Sequence, residues 1–73
     1  MSDLPVLSGK KIIRALAIVG YKTTRRRSSH VRLICEGRPP ITVPDYKTVS
    51  RGLLRKILRD AQLTKEEFVD LLK

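Results

Sequence analysis

A single histidine, His30, stands inside the densest basic run of the chain, Arg25-Arg26-Arg27-Ser28-Ser29-His30-Val31-Arg32. Imidazole is the side chain that takes up and releases protons most readily near neutral pH. Arginine presents a planar fork of N–H donors that fits phosphate oxygens. Together they describe acid–base chemistry on a phosphodiester. An RNA substrate would bring its own nucleophile, the 2′-hydroxyl. A neutral imidazole can remove that proton while the hydroxyl attacks the adjacent phosphate. Cationic side chains can stabilise the charge that builds on the phosphorane. No second residue stands out as proton donor to the leaving oxygen, so water or the newly protonated His30 must serve, and the reaction should be slow.

The competing reading is that a lone surface histidine does nothing, and the residues alone leave both readings open. Other chemistries find less support. Cys35 is the only cysteine, so it can form neither an internal disulfide nor, with one histidine, a zinc site. It is most simply a small buried hydrophobe. There is no glycine-rich phosphate loop and no acid near His30 in sequence to complete a Ser–His–acid set. No metal and no small-molecule cofactor is expected.

The elements that must hold His30 follow from periodicity. Ser8 is a candidate N-cap, with Leu7 and Ile12 as a hydrophobic staple. Ile12, Ile13, Leu16 and Val19 then share a helix face, and Gly20 stops the helix. Lys10, Lys11 and Arg14 fall on its solvent side. Residues 21–26 alternate as a strand, with Tyr21 inward and Lys22, Thr24 and Arg26 on the outer face. Arg27, Ser28 and Ser29 make a turn. His30 to Cys35 is the best strand pattern in the chain. Val31, Leu33 and Cys35 form its core face, and His30, Arg32 and Ile34 the opposite one. Arg26 and Arg32 are therefore the cations expected beside His30. Lys22, Arg27 and Ser29 complete the expected RNA-contacting set.

Glu36 to Pro40 reads as a turn, and Ile41-Thr42-Val43 as a short edge strand closed by Pro44. Ser50 is a second N-cap candidate. Leu54, Ile57, Leu58 and Ala61 form an apolar stripe, with Arg51, Arg55, Lys56 and Arg59 on the other side. Thr64-x-x-Glu67 is a capping box opening a third helix, stapled by Leu63 and Phe68. The expected fold is α+β: a three-stranded antiparallel sheet packed on helices, in the order α-β-β-β-α-α.

With 73 residues the chain is expected to be one domain, residues 1–73, with a loose arm over residues 1–7. A chain this short buries only about 60% of the surface that its unfolded form exposes. Hydrophobic residues make up 41%, which suits a globular domain. No apolar run approaches the roughly 18 residues of a membrane span, and the N-terminus lacks the pattern of a signal peptide, so the expected location is cytoplasmic. Lys plus Arg is 16 against 7 for Asp plus Glu, a net charge of +9. Four of the acids, Asp60, Glu66, Glu67 and Asp70, are gathered in the last quarter. The remainder is a field that attracts polyanions, nucleic acid above all.

From about Leu7 to Leu72 the chain resembles the HicA family of toxins from bacterial and archaeal toxin–antitoxin pairs. The likeness is carried by the helix followed by Gly20-Tyr21, the Ser29-His30 pair opening a strand, the Glu36-Gly37-Arg38 turn, and Thr42-Val43-Pro44. Its most specific part is Leu54-Arg55-Lys56-Ile57-Leu58-Arg59-Asp60-Ala61, running on into Leu63-Thr64-x-Glu66-Glu67-Phe68. The resemblance implies a fold like a double-stranded-RNA-binding domain. It implies a metal-free, histidine-dependent endoribonuclease that cleaves mRNA independently of the ribosome and is silenced by a HicB antitoxin. It maps the family's catalytic histidine onto His30. Three departures stand out. Ser28 replaces the family's usual glycine, at a cost of about 1 kcal/mol if the turn needs a positive φ. Tyr46 lies near where the family often carries a second histidine, whose role does not carry over. Gly52-Leu53-Leu54 stands for the usual Gly-Thr-Leu.

Two other functions fit the same residues. One is an RNA-binding module without catalysis, which would shift RNA on a gel without cutting it. The other is an interaction partner whose basic face only meets an acidic antitoxin.

Overall fold

The computed structural model describes residues 4–72. Its elements are α1 (Gly9–Val19), β1 (Lys22–Arg27), β2 (His30–Cys35), β3 (Arg38–Pro44), α2 (Arg51–Ala61) and α3 (Lys65–Leu71), the expected order. The strands form one antiparallel sheet in the order β1-β2-β3, so β2, which carries His30, is central. This is an α+β architecture like that of double-stranded-RNA-binding domains.

The helices begin where side-chain oxygens can satisfy otherwise unpaired N–H groups. Ser8 Oγ accepts from the Lys11 N–H at 3.2 Å, and Ser50 Oγ from the Leu53 N–H at 3.2 Å. At α3 the capping box is complete: Thr64 Oγ1 accepts from the Glu67 N–H at 3.0 Å, and Glu67 Oε1 from the Thr64 N–H at 2.8 Å. The bond from the Thr64 N–H to the Glu67 carboxylate is the main reason that its pKa lies below the ordinary value. Gly20 ends α1 with φ 121°, in the region that favours glycine.

The core lies between the helices and one face of the sheet. Ile12 and Leu16 of α1, Leu54, Ile57 and Leu58 of α2, and Phe68 of α3 are buried against Val31, Leu33, Ile41 and Val43. Tyr21 is buried as expected, and its hydroxyl donates to the Pro39 carbonyl at 2.9 Å. Burial is the main reason its phenol is pushed above the usual value. Cys35 is half-buried, at the core's margin.

Three expectations need correction. The segment from Leu4 to Leu7 is not a loose arm. Leu4 is only 1% exposed, its carbonyl accepts from Arg51 Nε at 2.6 Å, and Leu7 makes a β-bridge with Val49. An apolar side chain with a core cavity in reach is held by burial, whatever Pro5 prevents in the way of helix. Met1 to Asp3 lie outside the described residues. Second, the turn after β2 is shorter than residues 36–40. Cys35 pairs with Arg38, so Glu36 and Gly37 alone make it, with Gly37 at φ 82°. Pro39 and Pro40 belong to β3, where an edge strand tolerates their missing N–H groups. The third concerns the face on which Arg26 lies and is part of the site.

Candidate active site

The site is built on the sheet face opposite the core. In β2 the burial alternates as expected: Val31 and Leu33 are buried, and His30, Arg32 and Ile34 are exposed. The neighbouring strands decide what surrounds His30. Directly paired residues of an antiparallel sheet share a face. His30 pairs with Arg27 on one side and Pro44 on the other, and Arg32 pairs with Arg25 and Thr42.

The register of β1 shifts by one residue between Thr23 and Arg25. Thr24 is the extra residue of this bulge, and every side chain after it is turned to the other face. Lys22 keeps its expected outer position, opposite Ile34. Beyond the bulge Arg25 and Arg27 join His30 and Arg32. Arg26 pairs with the inward Val31 and leans past the sheet's end to Asp45, where Nη2 and Oδ2 meet at 2.8 Å. Arg26 is therefore not beside His30 as strict alternation predicts. Its place is taken by Arg25.

The result is a shallow cleft of about 550 Å³ lined by Thr24, Arg25, Arg27, His30, Arg32 and Thr42. Arg32 is steadied by Thr42, whose Oγ1 accepts from Nη1 at 3.1 Å. Thr24 Oγ1 donates to the Arg32 carbonyl at 3.3 Å and ties the bulge to β2. His30 itself is exposed, and among the described residues its ring makes no hydrogen bond. Its one ring neighbour is Tyr46, with centroids 6.4 Å apart and planes at 73°.

Ser29, expected to contact RNA, is half-buried in the β1–β2 turn, and its carbonyl accepts from the Asp45 N–H at 2.6 Å. That bond anchors the turn to the chain leaving β3. Ser28 has φ 56° while Ser29 does not have a positive φ, the sign pattern of a two-residue type II′ turn, whose first position favours glycine.

Chemically, the cleft can hold a phosphate among three guanidiniums and offer it an accessible imidazole. Of the expected set, His30, Arg27 and Arg32 are brought together, Lys22 lies further along the same face, and Arg26 and Ser29 have structural partners. Thr24 was expected on this face but not as part of the site, and Arg25 and Thr42 were not foreseen. Only recognition of the bulge would have found Arg25, and nothing in the residues 22–27 marks where an extra residue is accommodated. No group of three or more His, Cys, Asp or Glu side chains among the described residues is arranged to hold a metal ion.

Comparison with known proteins supplies the family. No curated protein matches the chain. The model of the family described as the HicA toxin of bacterial toxin–antitoxin matches residues 9–63, from the start of α1 to just past α2, and so takes in the whole sheet and the cleft. The chain belongs to the HicA toxin family, the toxin half of bacterial toxin–antitoxin pairs.

Proposed function

We propose that this toxin is an endoribonuclease that cleaves mRNA in the cytoplasm, with His30 as general base and Arg25, Arg27 and Arg32 as the phosphate clamp. The observation that carries this reading is the cleft: one accessible imidazole, on the central strand, among three arginines on the face turned away from the core. His30 takes the proton of a 2′-hydroxyl. The 2′-oxygen bonds to phosphorus, and the bond from phosphorus to the 5′-oxygen breaks. That oxygen receives a proton from water or from the protonated His30. The products are a 2′,3′-cyclic phosphate and a 5′-hydroxyl end. The arginines stabilise the dianionic phosphorane, a charge larger than the one they meet in the ground state. Neither the base nor the counter-charge requires a metal.

The partner of a HicA toxin is an antitoxin, and we assign a HicB-type protein with an acidic surface to the basic sheet face. Covering the cleft would exclude RNA and shield His30. Diethylpyrocarbonate should then modify His30 in the free toxin and not in the complex.

The direct test is induced expression of the wild type beside His30→Ala, following growth and total RNA integrity. The wild type should arrest growth and fragment mRNA, and the variant should do neither. Equal toxicity of the two would remove His30 from the mechanism.

A further inference from the structure

A clamp of arginines binds phosphates whether the RNA is paired or single-stranded. Selection between them needs a group that touches a base, and the chain has few. It contains no Trp, two Tyr and one Phe. Tyr21 and Phe68 are buried. Tyr46 is 44% exposed, and its ring centroid is 6.4 Å from that of His30. A phosphate held at His30 therefore has Tyr46 within the span of one nucleotide.

The backbone that carries Tyr46 is tied down from three directions. Its carbonyl accepts from the Gly9 N–H at 2.9 Å, at the start of α1. The preceding Asp45 donates its N–H to the Ser29 carbonyl at 2.6 Å and pairs with Arg26. Three residues later the Val49 N–H donates to the Leu7 carbonyl at 2.7 Å. The tyrosine hydroxyl makes no hydrogen bond among the described residues, and its ring, set at 73° to that of His30, is partly open to solvent on a held loop. A ring placed this way costs little further ordering when a flat ligand meets it.

We infer that Tyr46 is a stacking platform for an unpaired RNA base next to the scissile phosphate, so that the site takes single-stranded RNA in preference to duplex. This rests on the assignment of RNA to the cleft. Stacking on an aromatic face is open to any base, but only when that base is free of its helix. In a duplex each base is covered by its neighbours, and only the arginine contacts survive. Tyr46 is a positioning residue here, since it sets the nucleotide's register against His30 and takes no part in bond making.

The test uses the full chain and a short 2′-O-methyl oligoribonucleotide of mixed sequence, which has no free 2′-hydroxyl and cannot be cut. Binding is measured for the single strand and for the same strand annealed to its complement. Tyr46→Ala should weaken single-strand binding about tenfold and leave duplex binding unchanged. Tyr46→Phe should bind as the wild type does. In the wild type, tyrosine fluorescence should be quenched on addition of the single strand, and this readout needs no variant to fold. Equal loss for single strand and duplex, no loss in the alanine variant, or absence of quenching would overturn the inference. In a separate assay on the matching all-ribose strand, which can be cut, loss of cleavage with intact binding in Tyr46→Phe would overturn it too, by making the hydroxyl a proton donor. Because the probe is never cleaved, the result stands apart from whether His30 is the base. Failure of His30→Ala to lose activity would leave it intact.

Discussion

Arg25 lies directly across from Arg32 in the β1–β2 ladder, with both side chains on the face that carries His30. Like charges at directly opposed positions destabilise a sheet, by up to about 1 kcal/mol. The neighbouring Arg26 shows the alternative, since it has an acid, Asp45, at 2.8 Å. Among the described residues the Arg25–Arg32 pair has no such acid in the cleft, whose other lining residues are Thr24, Arg27, His30 and Thr42. A repulsive pair that folding alone would not favour is what a polyanion site requires.

Arg25→Glu should therefore stabilise the free protein by a few tenths of a kcal/mol, read as a higher urea midpoint, while lowering RNA affinity. Arg25→Ala should flatten the log–log dependence of single-strand binding on salt by about 0.7, one phosphate contact. Arg26→Ala should change that slope less, because Asp45 already neutralises part of its charge. An equal effect of the two substitutions would mean that RNA follows the sheet's end and not the cleft.

The difference between Arg25 and Arg26 also marks where the sequence was legible. Strand β2 was, because Val31 and Leu33 face a core and fix its alternation. The caps at Ser8, Ser50 and Thr64 were, because each is a local contest between a side-chain oxygen and a backbone N–H. The facing of residues after Thr24 was not. Strand β1 is exposed along its whole length, so no apolar side chain reports the register, and a bulge there leaves no trace in the residue pattern. The packing of Leu4 was hidden for a related reason: whether an apolar residue near a terminus finds a cavity depends on elements far along the chain, here α2 through Arg51. His30 could be singled out by type and setting, and its arginine neighbours only in part.

Gly9 fixes the approach of α1 to the end of β3. A Cβ there would lie 2.0 Å from the Pro44 carbonyl oxygen and 2.8 Å from the Asp45 Cα, both backbone atoms with little freedom to move. Gly9→Ala should cost at least the 1–3 kcal/mol or so typical of overpacking, lowering the melting temperature by roughly 4–8 °C per kcal/mol. Gly52→Ala is the control, because nothing lies within 4 Å of the added methyl. It should leave the melting temperature unchanged or raise it, since alanine favours helix. Similar melting of the two variants would show that α1 and β3 can part without loss.

Ser28 holds φ 56° one step from the Arg27–His30 pair. A left-handed conformation costs an L-residue about 1–2 kcal/mol, and glycine avoids that cost while losing more freedom on folding. Ser28→Gly should therefore be stabilising by a net of about 0.5–1 kcal/mol, seen in thermal melts. RNA cleavage should not fall, because the turn keeps its shape. A destabilised glycine variant would mean that the serine hydroxyl contributes more than the backbone conformation costs.

Glu67 gives the fold a defined response to acid. Its folded-state pKa lies below its unfolded value, chiefly through the bond from the Thr64 N–H and then through the Thr64 hydroxyl. The unfolded state therefore binds the proton more readily, and the stabilisation is present above the ordinary carboxylate range and lost as pH falls through the folded pKa. Glu67→Gln keeps an acceptor for the Thr64 N–H without the charge. The wild type should exceed it in urea midpoint at pH 7, and the two should converge as pH falls below the ordinary carboxylate range. Thr64→Ala, which removes the cap itself, should cost about 1 kcal/mol. A gap between wild type and Glu67→Gln that persists in acid would place the interaction elsewhere than in the carboxylate.

The chemistry assigned to His30 makes demands that a binding protein would not meet. In single-turnover cleavage of a short RNA, His30→Ala should slow the reaction by roughly 10²–10⁴, the usual share of a positioned general base. Its binding of the uncut strand should stay nearly intact, since the arginines of the cleft carry the phosphate attraction. A substrate with 2′-deoxyribose at the scissile position should be bound and not cut, because its nucleophile is missing. The wild-type product should carry a cyclic phosphate, which acid opens to a mixture of 2′- and 3′-monophosphates. Activity should survive EDTA, as the base is His30 and the counter-charge is arginine. Cutting of the 2′-deoxy substrate would require water as the nucleophile and would end this mechanism. A cyclic phosphate formed at full rate by His30→Ala would keep the 2′-hydroxyl and move the base to another residue of the cleft.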